Sequence, residues 1–209
     1  MENPRAIVET GYDAMADEYL TYIANIIGDP RAKFLAMLDQ RLAPGSDVLD
    51  LGCGAGTPSS AQLATRHHVL GIDISAAQIL RARQNVPSAR FEKGDFTTAE
   101  IAPASLDAVT AFYSLTHVPQ DEHGDLFRRI AGWLRPDGYF LGTLSAHGRS
   151  NGVQADFIGV PMFFSGHDAA TNRTLLRDAG WEMVVDEVVS MVEPDGASAF
   201  HWVLARLAG

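Results

Sequence analysis

The stretch Val48-Leu49-Asp50-Leu51-Gly52-Cys53-Gly54-Ala55-Gly56-Thr57, followed by Gly71-Ile72-Asp73-Ile74-Ser75, decides the fold. A short apolar strand breaks into a glycine loop, a helix opens, and a second strand ends in a carboxylate. That is how α/β proteins hold a nucleoside. Gly52, Gly54 and Gly56 carry no Cβ, so the backbone can turn sharply and approach a ligand closely. Thr57 and Pro58 read as an N-cap and first helical position. Asp73 is placed to accept from two vicinal ribose hydroxyls, and Ser75 to cap the next helix.

Two nucleoside classes compete for this unit. A dinucleotide site calls for G-x-G-x-x-G, but Thr57 stands where its third glycine belongs. Asp50, two residues before the first glycine, opposes a pyrophosphate and favours a cationic or zwitterionic ligand. At these residues the chain resembles the class I S-adenosylmethionine-dependent methyltransferases, whose first motif is an acidic residue followed by G-x-G-x-G. Later segments extend the resemblance in order. Phe91-Glu92-Lys93-Gly94-Asp95-Phe96 matches the adenine-binding turn, Asp107 to Ser114 is a buried strand with a polar end, and Leu134-Arg135-Pro136-Asp137-Gly138 matches the turn before strand five.

Alternation of elements predicts the rest. Helices are expected at 59–66, 76–85 and 121–134, and strands near 47–51, 69–73, 89–92, 107–113 and 138–144. Phe34, Leu35, Leu38 and Leu42 recur at helical spacing before Pro44-Gly45. A parallel, doubly wound, Rossmann-like sheet follows. Asp168 and Gly180 bracket a further helix, and two β-rich runs flank Glu193-Pro194-Asp195-Gly196 as a hairpin. The resemblance implies seven strands in the order 3-2-1-4-5-7-6 with the last antiparallel. The expected organisation is one domain over 1–209, with 1–30 as N-terminal cap helices and 145–167 as a substrate-side insert.

Composition narrows the partners. A formal charge of −10 and only two lysines, Lys33 and Lys93, argue against nucleic acid. Arg128 and Arg129 read as a solvated helix face. The lone Cys53 excludes an internal disulfide and reads as a packing residue. No signal peptide, apolar span of membrane length or zinc-ligand spacing is present, so the expectation is a cytoplasmic protein without membrane or metal. His67, His68 and His123 read as surface residues, and His201 as a structural one. Anionic acceptors are disfavoured unless Arg149 or Arg173 supplies a counter-charge.

The resemblance implies S-adenosylmethionine as cofactor and methyl transfer to an oxygen or nitrogen of a small molecule. It implies that Asp50, Gly52 and Gly54 hold the methionine end, Asp73 the ribose, and Asp95 with Phe96 the adenine, with Cys53, Ile74 and Gly94 also in the cofactor-binding set. Tyr12 and Tyr19, on one helical face of a Y-D-x-x-A-x-x-Y pattern, and Tyr113 complete that set. His117, just after strand four, is the candidate catalytic group, to orient or deprotonate the acceptor. His147, Phe163, Phe164 and His167 are the substrate candidates on the insert, with Phe163 and Phe164 either forming a lid or anchoring the loop. Three other readings share these motifs: a nicotinamide-dependent oxidoreductase, a cofactor-binding sensor without an acceptor pocket, and an enzyme using the cofactor for non-methyl chemistry.

Overall fold

The structure, a computed structural model, describes residues 3–208. Two short helices, α1 (Pro4–Ala14) and α2 (Ala16–Ala24), precede α3 (Arg31–Asp39). The alternating body comprises β1 (Asp47–Leu51), α4 (Ser59–Leu63), β2 (His68–Asp73), α5 (Ala76–Asn85), β3 (Arg90–Lys93), β4 (Leu106–Ala111), α6 (His123–Trp133) and β5 (Leu134–Ser145). There follow β6 (His147–Phe157), β7 (Val160–Asp168), α7 (Ala169–Asp178), β8 (Trp181–Glu193) and β9 (Gly196–Leu207).

Seven strands form one sheet in the order β3-β2-β1-β4-β5-β9-β8. Counted along the main sheet, this is 3-2-1-4-5-7-6, the expected order. β1 to β5 pair in parallel, while β9 runs antiparallel to both β5 and β8. The order reverses at β1, which pairs with β2 on one side and β4 on the other, so a crevice opens beyond their carboxyl ends.

Successive strand residues go to opposite cores. Leu49, Val109, Phe140, Val203 and Ala205 pack with Phe127 and Ile130 of α6, while Val48, Ala108, Leu141, Trp202 and Leu204 pack with Phe34 and Leu38 of α3. Both faces are covered, which is why the strands read as unbroken apolar runs. The fully buried Trp202 stacks on Phe34 with centroids 4.6 Å apart.

The insert departs from expectation. Instead of a loop it is an antiparallel pair, β6 with β7, closed by Ile158 and Gly159 at φ of 54° and 84°. Two consecutive positive φ values are the signature of a tight hairpin turn. Met162 and Phe163 of β7 bury against Ile7, Val8 and Met15 of the N-terminal helices. The approach is close: a Cβ on Gly11 would lie 2.6 Å from Met162 Cε.

Local differences have local causes. α4 covers only Ser59–Leu63, and neither Thr57 nor Pro58 makes a side-chain cap, so the expected Thr57 cap is absent. β4 stops at Ala111 because Tyr113 turns to φ 60°. Ser75 does cap α5, accepting from Gln78 N at 3.1 Å, and Asp168 caps α7. His67 and His123, expected at the surface, are buried; His67 Nε2 meets Asp39 at 2.9 Å and His123 Nε2 meets the Val118 carbonyl at 2.9 Å. Arg129 is not merely solvated: it donates to the Thr97 and Ala99 carbonyls and clamps that loop onto α6.

Candidate active site

Two cavities meet at the carboxyl end of the sheet. Gly52, Cys53, Gly54, Asp73 and Ile74 line the first. Gly52 has φ 69°, and a Cβ there would lie 2.3 Å from Ser114 Cβ, so only glycine fits. Asp73 ties the loop to the next helix by accepting from Gly54 N at 2.8 Å and Ser75 N at 2.9 Å. Burial pushes its pKa up to about 6 despite those two donors. The Cys53 thiol is also pushed well up by burial and remains protonated.

The same cavity contains residues that sequence reasoning missed. Gln78 is 1% exposed, and neither end of its amide has a hydrogen-bond partner. A buried amide left unpaired at a cavity wall calls for a polar ligand. Arg31, on α3, forms an ion pair with Asp29 at 2.6 Å and lies over the Tyr113 ring at 5.1 Å. The Tyr113 hydroxyl in turn donates to Asp29 at 3.0 Å, which holds its left-handed backbone at the mouth of β4. Asp50 is buried, with its oxygens accepting from Ser60 Oγ at 2.6 Å and Thr110 Oγ1 at 2.8 Å. Burial raises its pKa as well.

At the other end, Asp95 and Phe96 line the cavity, with Gly94 fixed by its N–H donating to the Asp73 carbonyl at 2.9 Å. Asp95 is already engaged: Oδ1 accepts from Thr97 N at 2.9 Å, and Oδ2 from Arg5 Nε at 2.5 Å. Arg5 also pairs with Glu122, so α1 is strapped over this end. Because α1 and α3 reach the site only through long-range packing, no local motif marks Arg5 or Arg31.

Tyr12, Tyr19, Tyr113 and His117 line both cavities. The helix breaks at Met15 between the first two tyrosines, yet their rings meet edge to face at 5.1 Å. His117 Nδ1–H donates to the Phe163 carbonyl at 2.7 Å, which leaves Nε2 to accept from the Tyr12 hydroxyl at 2.9 Å. Burial lowers the His117 pKa to about 4, so the ring is neutral across the physiological range.

The second cavity lies under the hairpin. Phe157, Phe164 and Phe200 give it an aromatic lining. The two candidate phenylalanines part company, as alternation along β7 requires: Phe164 faces the cavity and Phe163 packs in the apolar cluster under α1. Neither cavity's lining includes His147, which is exposed, or His167, whose Nε2 donates to the Gln120 carbonyl at 3.1 Å. Among the described residues, no helix is long and apolar enough to cross a membrane.

Fold and site together define a nucleoside-binding α/β domain with a second cavity alongside. Residues 48–138 match the family model described as a methyltransferase domain. The chain is 36% identical over 185 residues to phosphoethanolamine N-methyltransferase 1 of Triticum aestivum, covering 85% of this chain and 34% of that protein. It thus spans about a third of the length of that relative. Among solved structures it is similar to 1,6-didemethyltoxoflavin-N1-methyltransferase of Burkholderia thailandensis, at TM-score 0.75 and 20% identity, covering 100% of this chain and 92% of that one. Magnesium protoporphyrin IX methyltransferase of Synechocystis superimposes at TM-score 0.76 with 16% identity, covering 100% and 99%. The chain therefore has the fold of these solved methyltransferases, and its residues 48–138 match a methyltransferase-domain model.

Proposed function

We propose that this chain transfers the methyl group of S-adenosylmethionine to an oxygen or nitrogen of a small organic molecule. The observation that carries this reading is the common wall of Tyr12, Tyr19, Tyr113 and His117 between a nucleoside-type cavity and an aromatic one. A cofactor sensor needs only the first cavity. A nicotinamide enzyme would need the third glycine that Thr57 replaces.

The residues present fit the cofactor. Asp73 has lone pairs left for the ribose hydroxyls, and the unpaired amide of Gln78 adds a second polar contact on that side. Asp50 and Arg31 offer opposite charges for an amino and a carboxylate group, with Arg31 already raising the favourability of the Asp50 carboxylate. When bound, S-adenosylmethionine supplies a methyl group on a positively charged sulfur, which leaves readily. The protein then has to align the acceptor and exclude water. The Tyr12–His117 pair does the aligning: the neutral imidazole fixes the direction of the phenol O–H, and the phenol oxygen keeps a lone pair for an acceptor O–H or N–H. The relatives' names, phosphoethanolamine and 1,6-didemethyltoxoflavin among them, support a small acceptor.

The test is the heat of binding of S-adenosylmethionine, its demethylated product and a nicotinamide cofactor to the same protein. Binding of the first two with no heat from the third is the expected result, and silence from both sulfur nucleosides rejects the assignment. Mass gain of one methyl group across an acceptor panel then tests turnover. His117→Ala is expected to lower kcat by about ten- to a hundredfold, with cofactor affinity changed less than about threefold. Because His117 is already neutral above pH 5, the wild-type kcat profile should show no step between pH 6 and 7 from this residue. Such a step, lost in the variant, would make His117 a titrating base instead.

A further inference from the structure

The second cavity has separated charges. Its acids, Glu193 and Asp195, stand together at the β8–β9 tip, where Tyr22 donates to Asp195 at 2.7 Å. Its cation, Arg149, comes from the hairpin. Arg5, Arg31 and Arg173 each hold a carboxylate, Arg173 being bound to Asp186. Among the described residues, Arg149 pairs with none; its polar partner is the neutral Gln154 amide oxygen at 3.1 Å. Partial burial lowers its pKa with no nearby acid to oppose the effect.

The strand register explains where the guanidinium lies. Gly166 stands opposite Arg149 and has no side chain to cover it, so the arginine reaches over Phe164, two residues along β7, at 4.2 Å from the ring centroid. His117 packs on the same ring at 4.8 Å. Arg149 and the Tyr12–His117 pair therefore share one aromatic plate. On β9, Ser198 Oγ in the same cavity is buried without a partner.

From this arrangement, and resting on the methyltransferase reading above, we infer that the acceptor is an apolar or aromatic molecule bearing a carboxylate or phosphate, and that Arg149 selects it by pairing with that anion. The body of the molecule lies along Phe157, Phe164 and Phe200, and the atom to be methylated lies at Tyr12 and His117. The acids at the opposite end repel the anion and so fix the direction of entry. This reconciles an anionic acceptor with a chain of formal charge −10.

The test uses the whole chain saturated with S-adenosylhomocysteine and four probes of similar size: 3-phenylpropanoate, phenyl phosphate, 3-phenylpropanamide and phenethylamine. Dissociation constants come from ligand-observed NMR titration. The two anions are expected to bind about ten- to a hundredfold more tightly than the amide or the amine, the scale of a charge-assisted hydrogen bond. Arg149→Gln should bring all four within about threefold, and Arg149→Glu should reverse the order in favour of the amine. The inference is overturned if the wild type prefers the amide or amine, if the anion preference survives in Arg149→Gln, or if no probe binds. S-adenosylhomocysteine calorimetry on the same samples separates this from the cofactor reading, since its failure alone would reject the latter.

Discussion

Gly52→Ala is expected to unfold the chain at clearly lower denaturant and to remove measurable cofactor binding. Two costs add at this position. The backbone is left-handed at φ 69°, which disfavours any residue with a Cβ by about 1–2 kcal/mol. The new methyl would also lie 2.3 Å from Ser114 Cβ, so one chain must move, at about 1–3 kcal/mol for overpacking. Ser114 cannot yield freely, because its hydroxyl donates to the Leu51 carbonyl at 2.7 Å and the strained Tyr113 precedes it. Together these predict a loss of about 2–5 kcal/mol in urea unfolding. Gly52→Ala combined with Ser114→Gly should recover the steric part but not the backbone part, so the double-mutant cycle divides the two. A Gly52→Ala protein with wild-type midpoint and affinity would show that the loop does not depend on this close approach.

The main sheet is legible in the sequence because parallel strands buried on both faces leave apolar runs that need no periodicity to be recognised. Val48 to Leu51, Val69 to Ile72 and Ala108 to Ala111 are of this kind. The hairpin is illegible for the opposite reason. β6 is exposed along almost its whole length, so nothing alternates, and its turn uses Ile158 where an asparagine or aspartate would advertise a positive φ. The nucleoside loop announces itself because its residues are consecutive. Arg5, Arg31 and Gln78 do not, since each acts through packing between elements far apart in the chain. The choice between lid and anchor for Phe163 and Phe164 turns on the strand phase of β7, and one residue of register separates the two roles.

Asp73 makes the strongest pH prediction. Its pKa of about 6, raised from 3.8 chiefly by burial, means that the folded chain holds this proton more tightly than the unfolded one. Its contribution to stability is therefore greatest at pH below 4 and is lost as pH rises to 6, leaving a cost of about 3 kcal/mol at neutral pH. The ionised form is the one that ribose hydroxyls stabilise, because it offers lone pairs beyond those used by Gly54 N and Ser75 N. Cofactor affinity should then be flat above pH 6 and fall by about tenfold per pH unit below it, with one proton released on binding. Asp73→Asn should weaken binding by about 1–3 kcal/mol, since its amide donates where the carboxylate accepted, and should flatten the profile. Asp50, itself raised by burial, is close enough to contribute to the wild-type curve, and it remains in the variant. A slope that persists in Asp73→Asn therefore assigns the proton to Asp50, whereas a slope abolished with the affinity change assigns it to Asp73 and places the ribose on that carboxylate.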